Sequence, residues 1–246
     1  MNIISTDYLL KRKCPFPHLE NIGYTELTPF PDRWEDCAFI KYGIEIPEQI
    51  LRSMKRRRKE FFFGRLCAKD AISQVMPKLL GQIAICNDRR PQFPLGLSGS
   101  ITHTENFAAA VCILEKEGSI GLDAEPLIAN NLVYRLKDWV ATSKELELAK
   151  SVGMTLSQSL TIIYSVKEAL FKALYPQIFK VLDFHDSELV GFNEDLTQVV
   201  LRLSPYIDWD FPETQFIGHF ILTETIVKTL FIVPPLFQKI TIGDIE

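Results

Sequence analysis

The sequence predicts an α+β fold, and three observations carry that expectation. Helical and extended segments come in blocks instead of a regular strand–helix alternation, which argues against a parallel doubly wound sheet. The C-terminal third reads as short consecutive strands joined by tight turns, the pattern of an antiparallel sheet. Lys59-Glu60-Phe61-Phe62-Phe63 is echoed by Lys167-Glu168-Ala169-Leu170-Phe171 at a comparable place further along, a short match that points to two similar halves. The division is placed at 1–117 and 118–246.

Taken in order, residues up to about Pro47 are rich in proline and aromatics and carry no clear period. From Pro47, Ile50, Leu51, Met54, Phe61, Phe62, Ala68, Ile72 and Val75 recur at helical spacing, so one helix is expected up to Pro77, which cannot continue it. Residues 88–107, with two prolines, Gly96 and Gly99, read as a loop. Ala108–Leu114 and Ser119–Glu125 read as two strands of a β-hairpin turning at Glu115–Gly118. Thr142-x-x-Glu145 is a capping box opening a short helix that ends near Gly153. A longer helix is expected over 157–174, stopped by Pro176. Strands follow near 199–203, 215–222 and 226–233.

The 246 residues are 47% hydrophobic and 24% charged, the composition of a soluble globular protein with material for a sizeable core. No run approaches the ~18 apolar residues that span a bilayer, and Met1–Lys13 shows no basic leader before an apolar stretch. The expectation is therefore cytoplasmic, without membrane association. Five cysteines at wide spacing, with no C-x-x-C, indicate neither a disulfide framework nor a zinc site. The net charge of −4 conceals an asymmetry. Residues 1–117 carry 17 basic and 14 acidic side chains, and 118–246 carry 10 and 17. Between Arg52 and Arg90 eleven Lys or Arg face three acids, a block that attracts anions: phosphates, nucleic acid or an acidic protein surface.

Four stretches could carry chemistry. In Ile120-Gly121-Leu122-Asp123-Ala124-Glu125, strand alternation turns Ile120, Leu122 and Ala124 to a core and Asp123 and Glu125 to the other side. Two carboxylates so spaced suit magnesium, though the spacing by itself favours solvated acids at a strand end. Glu168 and Lys172 lie four apart on one helix face. They read either as a surface ion pair or as an oxygen ligand or base beside a phosphate contact, with Lys167 adjacent. Arg89-Arg90-Pro91-Gln92-Phe93-Pro94 leads into Gly99-Ser100-Ile101-Thr102-His103, where amides, hydroxyls, Arg90 and His103 suit phosphate oxygens; a surface loop with a bonded histidine is the alternative. Lys55–Lys59 is five basic residues in a row, and on a helix they cannot share one face.

In combination and order these stretches resemble the 4′-phosphopantetheinyl transferase superfamily. The carriers of the resemblance are Gly-Ser-Ile-Thr-His (99–103), Gly-Leu-Asp-Ala-Glu (121–125) and Ser-Val-Lys-Glu-Ala-Leu-Phe-Lys-Ala (165–173). Arg57-Arg58-Lys-Glu-Phe-Phe-Phe-Gly-Arg65 and Pro91-Gln-Phe-Pro94 look like its enterobactin-synthase-component and surfactin-type branch. The resemblance spans about residues 52–176. It implies two α+β halves packed as an intramolecular pseudo-dimer, the first binding coenzyme A and the second supplying metal ligands. Asp123, Glu125 and Glu168 would hold magnesium. Arg65, Arg90, Thr102 and His103 would bind coenzyme A phosphates, with Lys167 and Lys172 near the pyrophosphate and Arg58 in the same anion site. The implied reaction is transfer of phosphopantetheine to a serine of an acidic helical carrier protein, with Glu168 and Lys172 catalytic and the enzyme a monomer. Thr102 stands where the family often has Ser, and Tyr164 where many members have Trp. Other readings of the residues are a nucleic-acid-binding protein using 55–59, or a coenzyme A-binding scaffold without turnover.

Overall fold

The computed structural model describes residues 8–79, 81–205 and 214–235; residues 1–7, part of the stretch read as lacking a leader, lie outside them. In chain order the elements are β1 (Gly23–Leu27), α1 (Cys37–Lys41), α2 (Glu48–Leu51), α3 (Lys55–Val75), β2 (Ala84–Ile85), β3 (Pro91–Gln92), β4 (Leu97–Thr104), β5 (Phe107–Leu114) and β6 (Ser119–Pro126). There follow α4 (Asn130–Val140), α5 (Ser143–Ser151), α6 (Leu156–Ile178), β7 (Ser187–Phe192), β8 (Gln198–Leu203), β9 (Gln215–Leu222) and β10 (Ile226–Val233). Among the described residues, no helix is long and apolar enough to cross a membrane.

The fold is α+β in two halves. An antiparallel sheet ordered β1-β5-β4 carries α3 on one face, and a second, ordered β6-β10-β9-β8-β7, carries α6. Three cores glue these layers. Phe62, Phe63, Leu66 and Ala71 of α3 pack on the first sheet. Leu160, Ile163, Val166 and Leu170 of α6 pack on the second, with α4 and α5 beside them. Between the sheets lie Phe107, Ala109, Val111, Ile120, Leu122, Ala124 and Leu230, so the core face expected for Ile120, Leu122 and Ala124 is the face that joins the halves.

The seam between β4 and β6 is polar. Ser98 Oγ accepts from the Ile120 amide at 3.2 Å, Ser100 Oγ donates to the Leu122 carbonyl at 3.4 Å, and Thr102 Oγ1 accepts from the Ala124 amide at 3.2 Å. Hydroxyls at every second residue of one strand thus meet every second residue of the other, the period-2 geometry of paired strands.

Several local expectations are corrected. Residues 88–107 are not a loop throughout, because β3 and the eight-residue β4 lie within them; the hydroxyls of β4 take the alternate positions where apolar residues normally mark a strand. Ala108–Leu114 and Ser119–Glu125 are strands but not a hairpin. After a 3-10 turn at Glu115–Glu117 and Gly118, at φ 123°, the chain leaves the first sheet, and β6 pairs with β10. The helix from Pro47 breaks at residues 52–54. There Ser53 Oγ donates to the Ile50 carbonyl (2.6 Å), and Arg58 Nη1 to that of Ser53 (2.5 Å), side-chain bonds that compete with the helical ladder. Pro176 sits inside α6: in the last turn it removes one donor only, and the helix closes two residues later with the Phe179 amide on the Tyr175 carbonyl. The capping box at Thr142 is present, with both of its bonds.

Gly121 is where β6 and α6 touch. A Cβ there would lie 2.0 Å from the Ala169 carbonyl oxygen and 2.6 Å from the Ala173 nitrogen. Backbone cannot retreat as a flexible side chain can, so Gly121→Ala is expected to destabilise the fold by about 3 kcal/mol or more in equilibrium urea unfolding. A loss below about 1 kcal/mol would mean that α6 is not held against β6 this closely.

Candidate active site

The face of β6 opposite the inter-sheet core presents Gly121, Asp123 and Glu125 to α6. Ser165, Glu168 and Lys172, spaced three and four apart, lie on one face of that helix. Asp123 is almost fully buried between them. It receives Ser165 Oγ at 2.8 Å, Lys172 Nζ at 2.6 Å and, across the seam, Thr102 Oγ1 at 3.4 Å. Lys172 Nζ also donates to the Leu122 carbonyl at 3.3 Å.

These groups reshape one another's acidity. Burial, then the charges of Asp123 and Glu168, push the Glu125 carboxyl up to about 7 against the opposing pull of Lys172. Burial also raises Glu168, Lys172 again opposing and Asp123 adding. The Tyr164 hydroxyl is raised by burial and by all three carboxylates. Burial lowers Lys172, but Asp123, Glu168 and Glu125 outweigh it and leave the ammonium firmly protonated.

A cationic cluster faces this set from α3 and β4. Arg57 Nη1 donates to His103 Nε2 at 2.7 Å, and Glu60 Oε2 lies 3.7 Å from His103 Nδ1 and 3.6 Å from Arg57. Burial, then Arg57, and more weakly Lys172 and Arg65, hold His103 down to about 4, with Glu60 opposing; the imidazole is neutral at pH 7. Arg65 is buried, donates to the Ile83 and Ala84 carbonyls at 2.8 and 3.4 Å, and sits 4.6 Å over the Phe61 ring. Burial and Arg57 lower it to about 10. At the other end of β4, a groove of about 390 Å³ is lined by Arg90, Pro91, Phe93, Pro94, Gly99, Ser119, Pro176 and Gln177.

The expected site residues divide. Asp123, Glu125, Glu168 and Lys172 converge, Thr102 adjoins them from the seam, and His103 is close enough to feel Lys172, with Arg65 on its far side near Arg57. Arg58 instead chelates Asp36 with two bonds of 2.9 Å. Arg90 pairs with Asp88 and lies 5.1 Å over the Phe179 ring at the groove. Lys167 points away, buried against Glu145 at 2.8 Å. Arg57 escaped the sequence reading. Its signal was helical phase: Arg57, Glu60 and Gly64 share the face of α3 that meets β4, where a Gly64 Cβ would touch Ile101 at 3.0 Å. The rest of the basic run is engaged locally, Lys55 on Glu35, Arg56 on Glu60 and Lys59 on the Pro31 carbonyl.

A two-half α+β protein with clustered carboxylates beside a cationic cluster is suited to phosphoryl-group chemistry. Comparison with known proteins gives the family. Residues 47–113 match the model of the 4′-phosphopantetheinyl transferase N-terminal domain, and residues 119–225 that of the 4′-phosphopantetheinyl transferase superfamily. The chain is 32% identical over 151 residues to 4′-phosphopantetheinyl transferase Npt of Nocardia iowensis, covering 59% of this chain and 64% of that protein. It is 29% identical over 182 residues to enterobactin synthase component D of Escherichia coli K12 (74% and 80%), and 29% over 194 residues to PptT of Mycobacterium tuberculosis (74% and 77%). The chain spans just under two thirds of the Nocardia protein and of the Salmonella typhi component D, at 64% and 63%. The chain belongs to the 4′-phosphopantetheinyl transferase superfamily and resembles its enterobactin-synthase-component branch.

The donor set fits the hard divalent cation that the family implies. All three acids offer oxygen, and their mutual repulsion is what a cation relieves. Among the described residues no three His, Cys, Asp or Glu side chains already surround one point, and magnesium commonly takes one or two carboxylates and completes its shell with water and substrate phosphate. Glu125 at about 7, against 4.5 unperturbed, holds a proton in the folded state that the unfolded state has lost. Its contribution to stability therefore falls as pH rises from 4.5 to 7, and the full penalty stands above 7. Glu125→Gln is accordingly expected to raise Tm at pH 8 without metal, by an amount equivalent to roughly 1–3 kcal/mol, and to diminish the Tm gain on adding magnesium. Differential scanning calorimetry with and without magnesium checks both; an unchanged metal-free Tm contradicts the carboxylate crowding.

Proposed function

We propose that this protein transfers the 4′-phosphopantetheine of coenzyme A to a serine of an apo carrier protein and releases 3′,5′-adenosine bisphosphate. The observation that carries the reading is Lys172, which reaches from α6 to Asp123 amid three carboxylates while Arg57, Arg65 and His103 stand across the seam. Magnesium held by Asp123, Glu125 and Glu168 would neutralise charge on the coenzyme A pyrophosphate. Arg57, Arg65 and His103 bind coenzyme A phosphates, with Thr102 holding Asp123 from behind. Glu168, whose carboxylate burial makes more basic, takes the proton of the attacking serine hydroxyl. Lys172 stabilises the charge that develops on the leaving phosphate oxygen. Arg90 belongs to the groove wall, where a nucleotide lies along β4; Arg58 serves by bracing α3 through Asp36.

The carrier, in this reading an acidic helical domain, docks on 127–153. Leu132, Tyr134 and Trp139 of α4 are exposed there among Arg135, Lys137, Lys144 and Lys150. Trp139 packs edge-on to Phe184 at 5.3 Å, and Phe184 lies 5.1 Å from Tyr164, an aromatic path toward Glu168. The protein is taken to act as a cytoplasmic monomer; its five cysteines are all free thiols.

Incubated with coenzyme A, magnesium and a panel of apo carriers, the wild type is expected to add one phosphopantetheinyl mass to a carrier. The gain is lost with EDTA, and falls at least ~100-fold in Glu168→Gln, within the range a positioned acid–base group contributes. Transfer that survives EDTA and Glu168→Gln alike would sink the mechanism. Trp139→Ala with Tyr134→Ala is expected to raise the carrier's KM about tenfold, roughly 1.4 kcal/mol, and to leave the Kd for coenzyme A unchanged. An unaltered carrier KM would remove the docking surface.

A further inference from the structure

We propose that Lys167 and Glu145 form a positioning pair that ties the α4–α5 surface to the helix carrying Glu168. This rests on the transferase reading above. The motif placed Lys167 beside a pyrophosphate, but its side chain is 2% exposed and that of Glu145 0%. Lys167 Nζ lies 2.8 Å from Glu145 Oε1 and 3.0 Å from the Val140 carbonyl at the end of α4. The same Oε1 accepts the Leu189 amide of β7 at 2.8 Å, and Oε2 accepts the amide and hydroxyl of Thr142 at 2.8 and 3.0 Å. One carboxylate thus closes the cap of α5, holds β7 and receives α6, and its lysine adds the end of α4.

This hub sits in an otherwise apolar core of Val140, Leu146, Val166, Leu170 and Leu189. A buried ion pair in such a place is a poor source of stability, since apolar replacements are often neutral or better; fixing one arrangement is its better-attested use. What it fixes here is helix rotation. Neighbouring helical residues point about 100° apart, from 3.6 residues per turn, so anchoring Lys167 on the α4–α5 side sets the direction of Glu168 toward Asp123 and Glu125. The helices that would receive the carrier are bonded to the same hub, so the docking surface and Glu168 are held in one register.

The test compares wild type with the double variant Glu145→Gln/Lys167→Met. Gln keeps one acceptor oxygen, enough for the Leu189 or the Thr142 amide but not for both, and Met keeps the apolar stem. The variant is expected to unfold cooperatively and to bind coenzyme A within twofold of wild type. Its magnesium half-saturation, read from the Tm gain with coenzyme A present, should weaken about tenfold, and kcat should fall about 10- to 100-fold, the cost of a roughly 1 Å misplacement. A tenfold loss of coenzyme A affinity in the folded variant would make Lys167 a phosphate ligand and overturn the proposal. So would magnesium half-saturation and kcat both within twofold of wild type. If the double variant does not fold, Glu145→Gln alone is judged by the same readouts. Failure of the wild type to modify any carrier would count against the transferase reading, and the magnesium titration would still decide the pair.

Discussion

Crowding of like charge on one strand–helix contact organises this molecule. Asp123, Glu125 and Glu168 sit near one another with Lys172 as the only ammonium directly on them among the described contacts. One buried and two partly buried carboxylates cost free energy in proportion to how dry and how close they are. Hydrogen bonds from Ser165 and Thr102 and the Lys172 ion pair offset that cost at Asp123. Glu125 is left to hold a proton near neutrality. Such a site is poised for a cation and for a substrate that brings its own phosphate oxygens.

Everything else keeps that crowd in place. Gly121 lets β6 approach the α6 backbone, which no side chain there would allow. The hydroxyls of Ser98, Ser100 and Thr102 bind β4 to β6 across the join between the halves, and apolar side chains between the sheets hold the same join from behind. Because β4 also carries His103 and packs on α3, the seam delivers Arg57, Arg65 and His103 to the edge of the carboxylates. At the site, then, the first half supplies the cations of that cluster and the second half the three carboxylates.

Much of this was legible in the sequence. Alternation on 120–125 separated the core face from the acidic face, and the four-residue step from Glu168 to Lys172 placed both on one side of α6. The capping box at Thr142 and the strands at 198–203, 215–222 and 226–233 announced themselves by local chemistry. β4 did not, because hydroxyls and glycine fill positions that apolar residues normally mark. α4 was missed because Ala129 offers no side-chain cap, and because Leu132, Tyr134 and Trp139 spoil its polar face. β7 hides behind a register shift between Leu189 and Gly191. Lys167 could not be placed from sequence at all. Its direction depends on Glu145, 22 residues away, and only a three-dimensional packing shows that the two are buried together.

The account stands on the mutual repulsion of the carboxylates, and NMR titration of their carboxyl carbons measures it most directly. Without metal, Glu125 should titrate near 7. With magnesium and coenzyme A its titration should move down toward the ordinary carboxylate range, because a bound cation favours the ionised form. A Glu125 that titrates near 4.5 in the free protein, and does not move when magnesium and coenzyme A are added, would contradict the account.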